Sequence, residues 1–495
     1  MTFKQNRHHY TRKDIARIAS EAMIERGLEP EFPEASIRQL EKITQAADDD
    51  HDPDIFDLTD LLWCSLDNDD SQDLDQLTAS EVLKNGLIKI FVAIADVDAI
   101  VKKDSPIDDH ARINTASIYT SARIFPMLPE KLSTNLTSLN QNEDRLAVVT
   151  EMVINQDGSI SQPHVYRAKV RNKAKLAYDA VSDWIERKAP APEALSRVKG
   201  MDEQLLMQDR AAQILRKRRH EQGSLELEIF EPKAIFEGEH VVGIAQQVQN
   251  RGRQLIEEFM IATNECTAKF LADKGNASLR RVVRSPENWN RIVDLAKKYD
   301  ERLPSQPDSK ALSVFLAKRH QADPLRFPDL SLIVVKLMGS GEYVVEAPNA
   351  EPIGHFGLAV QDYTHSTAPN RRYPDLITLR MLKAALKNTQ PPYSIQDLRL
   401  LAEHCSQQED AARKVERRVR KSEAALLLSS HINQTFDALV TGSSTSATWV
   451  RLLDMPVEGL LAEGESHLEV GRKLRVRLVS TNVERGFIDF VQVHY

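Results

Sequence analysis

Cysteine is scarce: Cys64, Cys266 and Cys405 are the three in 495 residues, far apart and outside any C-x-x-C pair. That spacing excludes a zinc ribbon or finger and a disulfide framework, and an odd number of thiols suits a reducing compartment. No long uncharged apolar run occurs, which excludes a conventional membrane-spanning helix. The first 26 residues carry no apolar stretch of the signal-peptide type. These absences lead us to expect a cytoplasmic, globular protein without a membrane partner. Aromatic residues make up only 6% of the chain and the net charge is −8, from 65 basic and 73 acidic residues. Net charge alone argues against a nucleic-acid binder, but a basic channel can sit within an acidic protein, so the distribution of charge carries more weight than its sum.

Acidic charge is concentrated in one place. Asp67, Asp69, Asp70, Asp73 and Asp75 fall within nine consecutive positions, between the apolar residues Leu61-Leu62-Trp63 and a strand-like run over 88–97. Crowded carboxylates repel one another unless a positive charge sits among them, so the run is either a solvated loop or a cation site. A calcium loop fails on spacing. Counting from Asp67, Gln72 stands where the turn glycine belongs and Thr78 where the bidentate Glu belongs. A hard cation such as magnesium, which keeps waters for a phosphate to displace, fits better.

Basic residues cluster at Arg216-Lys217-Arg218-Arg219-His220, at Arg280-Arg281 with Arg284, at Arg371-Arg372, and through Arg413, Lys414, Arg417, Arg418, Arg420 and Lys421. Each run alone reads as a solvated helix face; their recurrence raises one shared anionic partner.

The length allows about three domains. Residues 11–48 read as two helices, over 15–26 and 37–47, broken by Gly27 and the Pro30/Pro33 pair, so a helix-turn-helix is conceivable. An acidic linker follows at 51–60. Strands dominate 61–160, and helical periodicity returns over 174–220. Residues 225–242 read as strands broken by Pro232 and Gly238, and 253–273 as a strong helix. Further helices are expected at 292–299, 308–319, 329–338, 376–388 and 395–428. From Phe436 onward five short strands alternate with breaks at Gly442, Gly464, Gly471 and Gly486, the pattern of a small Greek-key barrel of the OB type. In that barrel Trp449 is either a stacking platform for a base or a core residue.

Three other stretches can carry chemistry. Tyr119 precedes Ile124-Phe125-Pro126-Met127-Leu128-Pro129, whose prolines prescribe a rigid turn. This tyrosine is either a base-stacking group or part of the core. Residues 365–375, His-Ser-Thr-Ala-Pro-Asn-Arg-Arg-Tyr-Pro-Asp, read as a Pro-bounded turn before a helix, where free N–H groups and guanidinium forks could converge on a phosphate. Gln249-Asn250-Arg251-Gly252-Arg253 reads as a helix start.

Asp67-(x5)-Asp73-Leu74-Asp75, the run over 124–139, Ile256-Glu257-Glu258-Phe259-Met260 with Asn264, and Tyr363 through Leu379 occur in that order. Together they resemble the catalytic domain of the ribonuclease II/ribonuclease R (RNB) family over about residues 57–430. The resemblance implies an α+β fold: an RNB core, a mixed sheet surrounded by helices, over 57–432, then an S1-type OB-fold barrel over 433–495. A small helical segment, 1–56, stands in front. It also implies a hydrolase that works from the 3′ end of single-stranded RNA and releases nucleoside 5′-monophosphates processively. Magnesium, with manganese as a substitute, is the implied cofactor. By the same resemblance Asp67, Asp73 and Asp75 bind metal and position the attacking water. Arg371 contacts the terminal phosphate and Tyr119 clamps the terminal base. From the turn over 365–375 and from the barrel, we also expect Arg372 and Trp449 as RNA contacts.

The departures raise further expectations. Gln76 stands where the family carries a fourth aspartate, leaving a neutral amide as the metal ligand. Ala368 replaces a serine and Asn370 an aliphatic residue. The family's two N-terminal cold-shock barrels have no counterpart ahead of the core, which leads us to expect a weaker grip on RNA or a different route in. The alternative is a catalytically weakened or inactive RNA-binding regulator on the same scaffold.

Overall fold

The computed structural model describes residues 10–49, 52–228, 232–246, 249–444, 447–463, 468 and 470–493. The sequence expectations over 1–9 and 229–231 and the break at Gly464 lie outside the described residues.

Two short helices lead, α1 (Arg12–Ile24) and α2 (Glu34–Lys42). The Thr11 N–H donates to Asp14, closing the first turn of α1, and Gly27 ends the segment in the left-handed region at φ 73°. The strands β1 (Ile55–Asp57), β2 (Cys64–Asp67), β3 (Gln76–Val82) and β4 (Ile88–Ala95) follow. Helix α3 (Pro106–Asn114) precedes a minimal hairpin, β5 (Ile118–Tyr119) with β6 (Ile124–Phe125). Then come β7 (Asp144–Ile154), β8 (Ile160–Arg171) and β9 (Ala174–Ala177), and helices α4 (Tyr178–Ile185), α5 (Glu193–Ser196) and α6 (Met201–Gln222). A second hairpin, β10 (Pro232–Glu237) with β11 (His240–Gln246), leads to α7 (Arg251–Asp273). The later elements are β12 (Ser278–Val282), α8 (Trp289–Lys297), α9 (Ser309–Ala322), α10 (Phe327–Met338), β13 (Glu342–Glu346), α11 (Tyr373–Leu386) and α12 (Ile395–Leu428).

Seven strands form the central mixed sheet in the order β1-β8-β7-β4-β3-β2-β9, with β1/β8 and β2/β9 parallel and the other neighbours antiparallel. The near-continuous apolar run of β4 shows why. Phe91, Ala93 and Ala95 pack on one side with Leu376 and Ile377 of α11 and Leu398 of α12. Ile88, Ile90, Val92 and Ile94 pack on the other with α6 and α7. A sheet covered on both faces needs apolar residues in both phases of its alternation.

The C-terminal strands close into a barrel: β14 (Thr435–Ser443), β15 (Thr448–Leu452), β16 (Glu458–Glu463), β17 (Lys473–Asn482) and β18 (Phe487–Gln492), in the order β14-β15-β16-β18-β17. The expected five-stranded OB-type barrel is present. Among the described residues no helix is long and apolar enough to cross a membrane.

Three expectations are corrected. The leading helices are not a helix-turn-helix, since α1 packs on α12 and α2 on α3. Residues 174–177 are a strand rather than helix, because Ala174–Ala177 finds a parallel partner in β2 and that pairing overrides a weak local preference. The stretch 61–160 contains α3, started by Ser105, whose hydroxyl accepts the Asp108 N–H, with Pro106 at the first helical position.

Candidate active site

Strand β2 ends on Asp67 and β3 begins at Gln76, and the antiparallel pair Cys64↔Thr78 folds the intervening loop back on itself. Asp69 and Asp70, at the loop tip, are exposed and solvated. Asp67 turns inward, its Oδ1 accepting the Asn68 N–H at 2.7 Å and the Ser71 hydroxyl at 2.9 Å. Asp73 Oδ2 accepts the Tyr119 hydroxyl at 2.8 Å. Asp75 is 1% exposed; its Oδ1 accepts the Asn370 N–H at 2.9 Å and its Oδ2 the Arg371 Nε–H at 3.2 Å. Burial pushes the Asp75 carboxyl up to about 7, against the opposing pull of Arg371 and of the Asn370 N–H.

Arg371 sits among these carboxylates with 45% of its side chain open to solvent. Burial works against its charge, but Asp75, Tyr119, Asp67 and Asp73 outweigh it and hold the guanidinium firmly protonated. Tyr119 as a residue is 41% exposed although its hydroxyl is anchored, and burial of the hydroxyl together with the Asp73 charge raises its pKa. Tyr119 therefore presents a ring face rather than filling the core.

The turn over 365–375 is wired differently from the sequence expectation. Asp375, fully buried, accepts the Thr367 and Ala368 N–H groups at 2.8 and 2.9 Å and the Arg372 Nη2–H at 2.7 Å, all on Oδ1. Asn264 Oδ1 accepts both the N–H and the hydroxyl of Ser366 at 2.8 Å. With Asn370 N–H given to Asp75, these backbone donors are already spent inside the protein, so the Arg371 guanidinium, not a helix N-terminus, is what the turn offers a phosphate. The same network accounts for two departures from the family pattern. Asn370 is fully buried and accepts the Thr137 hydroxyl at 2.5 Å, and the Ala368 methyl, 1% exposed, leaves no hydroxyl to satisfy.

Not every sequence-derived site residue joins this group. Gln76 pairs with Ile94, and strand alternation sets it on the face of Thr78, whose hydroxyl donates to Gln208 of α6, opposite to Asp75 and Leu77. It is buried, and among the described residues no hydrogen bond ties its side chain to Asp67, Asp73 or Asp75. Arg372 is turned to Asp375. Trp449 is 37% exposed between the inward-facing Thr448 and Val450, which rules out the barrel-core alternative for it. The basic clusters divide. Arg219 pairs with Glu258, Arg280 with Glu346 and Arg281 with Glu409, so these largely buried arginines serve internal ion pairs rather than a shared partner, while Arg284 pairs with Glu342 at the surface. Arg417, Arg420 and Lys421 line a groove of about 300 Å³ that also touches Ile244, Ala424 and Val457, between α12, the β10–β11 hairpin and the barrel.

Sequence reasoning missed the support beside Asp67. Arg253, in the first turn of α7, donates to Asn68 Oδ1 at 2.7 Å and lies over the Tyr178 ring at 4.6 Å. Gly252 makes this approach feasible, since a Cβ there would meet the Tyr178 carbonyl at 2.9 Å. The signal was the Gly-Arg pair at a helix start.

Among the described residues no three acidic, His or Cys side chains converge as a ready-made ion cage. The donors are nevertheless carboxylate oxygens, and magnesium is ordinarily held by one or two carboxylates, several waters and substrate phosphate, so the donor chemistry fits that ion.

Comparison with known proteins places the sequence in a family. The profile described as RNB domain matches residues 56–388, and the RNase II-type exonuclease C-terminal S1 domain matches residues 434–493. Ribonuclease R of Thermotoga maritima is 29% identical over 94% of this chain and 68% of its own length. Ribonuclease R of Escherichia coli is 28% identical over 93% of this chain and 60% of its own, and that of Vibrio cholerae is 29% identical over 93% and 59%. The chain thus spans about three-fifths to two-thirds of these curated relatives. The solved structure of Mycoplasma genitalium RNase R in complex with ribose methylated single-stranded RNA superposes with a TM-score of 0.88 at 22% identity, covering 97% of this chain and 78% of that one. The same protein in complex with double-stranded RNA gives 0.86 at 23%, covering 97% and 83%. With an RNB match over more than half of its length, followed by the S1-type barrel, the chain belongs to the RNB family.

Proposed function

We propose that this protein is a hydrolytic 3′→5′ exoribonuclease that removes nucleoside 5′-monophosphates processively from single-stranded RNA. The observation that carries the reading is the placement of Arg371 among Asp67, Asp73 and Asp75, with Tyr119 anchored on Asp73. In the reaction a water oxygen bonds to the phosphorus of the terminal nucleotide and the bond to the 3′ oxygen of the preceding ribose breaks. The released product carries the 5′ phosphate. Magnesium, bound through Asp67 and Asp73 with Asp75 behind them, would supply Lewis-acid polarisation of the phosphate and a nucleophilic water at neutral pH.

The side chains divide the remaining work. Arg371, half open and permanently charged, offers a guanidinium to the scissile phosphate, where charge accumulates in the transition state. Asp75 fixes the direction of that guanidinium through Nε and ties it to the Asn370 backbone. The Tyr119 ring stacks the terminal base, and its hydroxyl, held by Asp73, couples the stacked base to the carboxylate group. Residues 57–432 carry the chemistry and the barrel at 433–495 holds incoming RNA, with Trp449 on its outer surface. Arg417, Arg420 and Lys421 in the adjoining groove would follow the phosphate backbone. The relatives named Ribonuclease R, and the RNA-bound structures of one of them, support the substrate class.

The test is a 5′-labelled single-stranded RNA incubated with the full chain, with magnesium and with a chelator. Conversion of full-length RNA to a short 5′-labelled end product without accumulating intermediates is expected, with nucleoside 5′-monophosphates released from a uniformly labelled copy of the same RNA, and both are abolished by chelation. Binding without any product at all magnesium and manganese concentrations would overturn the proposal.

A further inference from the structure

The hairpin that carries Tyr119 is too small to hold itself in place. Each of its strands has two residues, paired as Ile118↔Phe125 and Tyr119↔Ile124. A hairpin of that size is not stable alone, so its position is set by whatever grips its turn.

The grip comes from the N-terminal helix. Ile15, Ile18, Ala22 and Met23 of α1 share one apolar cluster with Ile118 and Phe125 of the hairpin and with Val415 and Val419 of α12. At the first residue of α1, Arg12 Nε donates to the Ala122 carbonyl at 3.0 Å and Nη2 to the Ser121 carbonyl at 3.5 Å. These two carbonyls belong to the turn between β5 and β6. The Arg12 guanidinium also lies 5.3 Å from the Phe236 ring, and the main-chain N–H of Arg12 donates to the Glu239 carbonyl at 3.0 Å, so the β10–β11 hairpin fixes Arg12 in turn. Downstream of α1, Glu31 accepts the Arg123 Nη1–H at 2.7 Å. On the other side of the turn the Ser121 hydroxyl accepts the Ala234 N–H and donates to Glu423.

We propose that Arg12 is a positioning residue for Tyr119: its planar guanidinium spans two successive carbonyls of the turn and sets where the Tyr119 ring stands, and hence how short an RNA end the site can still hold. Lysine carries one compact ammonium and cannot reproduce the fork. This inference rests on the reading of Tyr119 as the terminal-base clamp.

The experiment follows a labelled oligoadenylate to its end products and measures kcat and KM on long and short oligonucleotides for Arg12→Ala, Arg12→Lys, Arg17→Ala and Tyr119→Ala. Arg17 lies on the same helix but pairs with Glu21 and with Glu484 of the barrel, away from the hairpin turn. The expected result is longer residual products and a roughly tenfold rise in KM on short oligonucleotides for Arg12→Ala, the size of effect expected for a weakened base stack. Kcat on long RNA should be unchanged, Arg12→Lys should fall in between, and Arg17→Ala should match the unsubstituted protein. Unchanged product length in both Arg12 variants, while Tyr119→Ala lengthens the products, overturns the role of Arg12 alone. Equal shifts in Arg12→Ala and Arg17→Ala also overturn it, since they would reflect loosening of the whole helix. An unaltered product length in Tyr119→Ala would overturn the clamp reading itself.

Discussion

The main-chain N–H of Asn370 donates to Asp75 Oδ1 at 2.9 Å across a sequence separation of 295 residues, and the neighbouring Arg371 guanidinium takes Oδ2. One carboxylate, 1% exposed, therefore joins the aspartate loop to the arginine turn. Asp75→Asn keeps the shape, and its amide oxygen can still accept from Asn370, but it turns an N–H toward Arg371. The expected result is a loss of about 10²- to 10³-fold in kcat, the scale seen when one preorganised charge-stabilising contact is removed. Thermal melting should be no lower at pH 8, where the native Asp75 has passed its raised pKa of about 7 and bears a buried charge. A collapse in melting temperature with activity lost in proportion would make Asp75 structural only.

Tyr119 offers two separable features, an exposed ring and a hydroxyl held by Asp73 at 2.8 Å. Tyr119→Phe keeps the ring and frees Asp73, so KM for single-stranded RNA should stay within about twofold while kcat changes with the altered carboxylate. Tyr119→Ala removes the stack and should weaken binding of short RNA by about 1–3 kcal/mol. Steady-state kinetics on short and long oligonucleotides separate the two. Equal losses for both variants would show that the hydroxyl, not the ring, is what counts.

Legibility in the sequence follows how local the signals are. Helix α12 is readable end to end, because Ser394 and Asp397 cap it and apolar residues recur at helical spacing through Val415 and Val419. The five barrel strands are equally plain from alternation and glycine breaks. Strand β9 is not, since Ala174–Ala177 becomes a strand only by pairing with β2. At the site, Asp67, Asp73, Asp75, Tyr119 and Arg371 are gathered as the motif order leads one to expect. The fate of the donors in the 365–375 turn is illegible, because it depends on Asp375 folding back on Thr367 and Ala368. The side of the sheet on which Gln76 lies depends likewise on the register Cys64↔Thr78.

Glu423 of α12 is 2% exposed, and burial pushes its carboxyl up to about 7 although the Ser121 hydroxyl and Arg420 pull the other way. An unfolded glutamate titrates near ~4.3. The folded state therefore binds the extra proton between those values, and stability attributable to this residue is complete below ~4 and is lost as pH rises through about 7. Glu423→Gln should remove that dependence. At pH 8 the variant should be more stable than the unsubstituted protein, by an amount on the order of 1–3 kcal/mol, and at pH 5 it should show no advantage. Denaturant melts at the two pH values check this, and a constant difference between the proteins would refute it.

Trp449 stands on the outer face of β15, while Val440, Val450 and Phe490 fill the barrel. Trp449→Ala should therefore leave the melting temperature unchanged. If the ring is a stacking platform, the substitution weakens binding of single-stranded RNA by about 1–3 kcal/mol, roughly 5- to 150-fold in Kd. Stacking releases no counterions, so the slope of log Kd against log salt should not move. Arg420→Gln, in the groove beside the barrel, should do the reverse: a smaller loss of affinity but a slope shallower by about 0.7 if that side chain meets one phosphate of a single strand. Salt titrations of both variants distinguish the roles. A Trp449→Ala protein that binds RNA with unaltered affinity would exclude the outer face of β15 from the RNA path, and an unaltered slope for Arg420→Gln would exclude the groove.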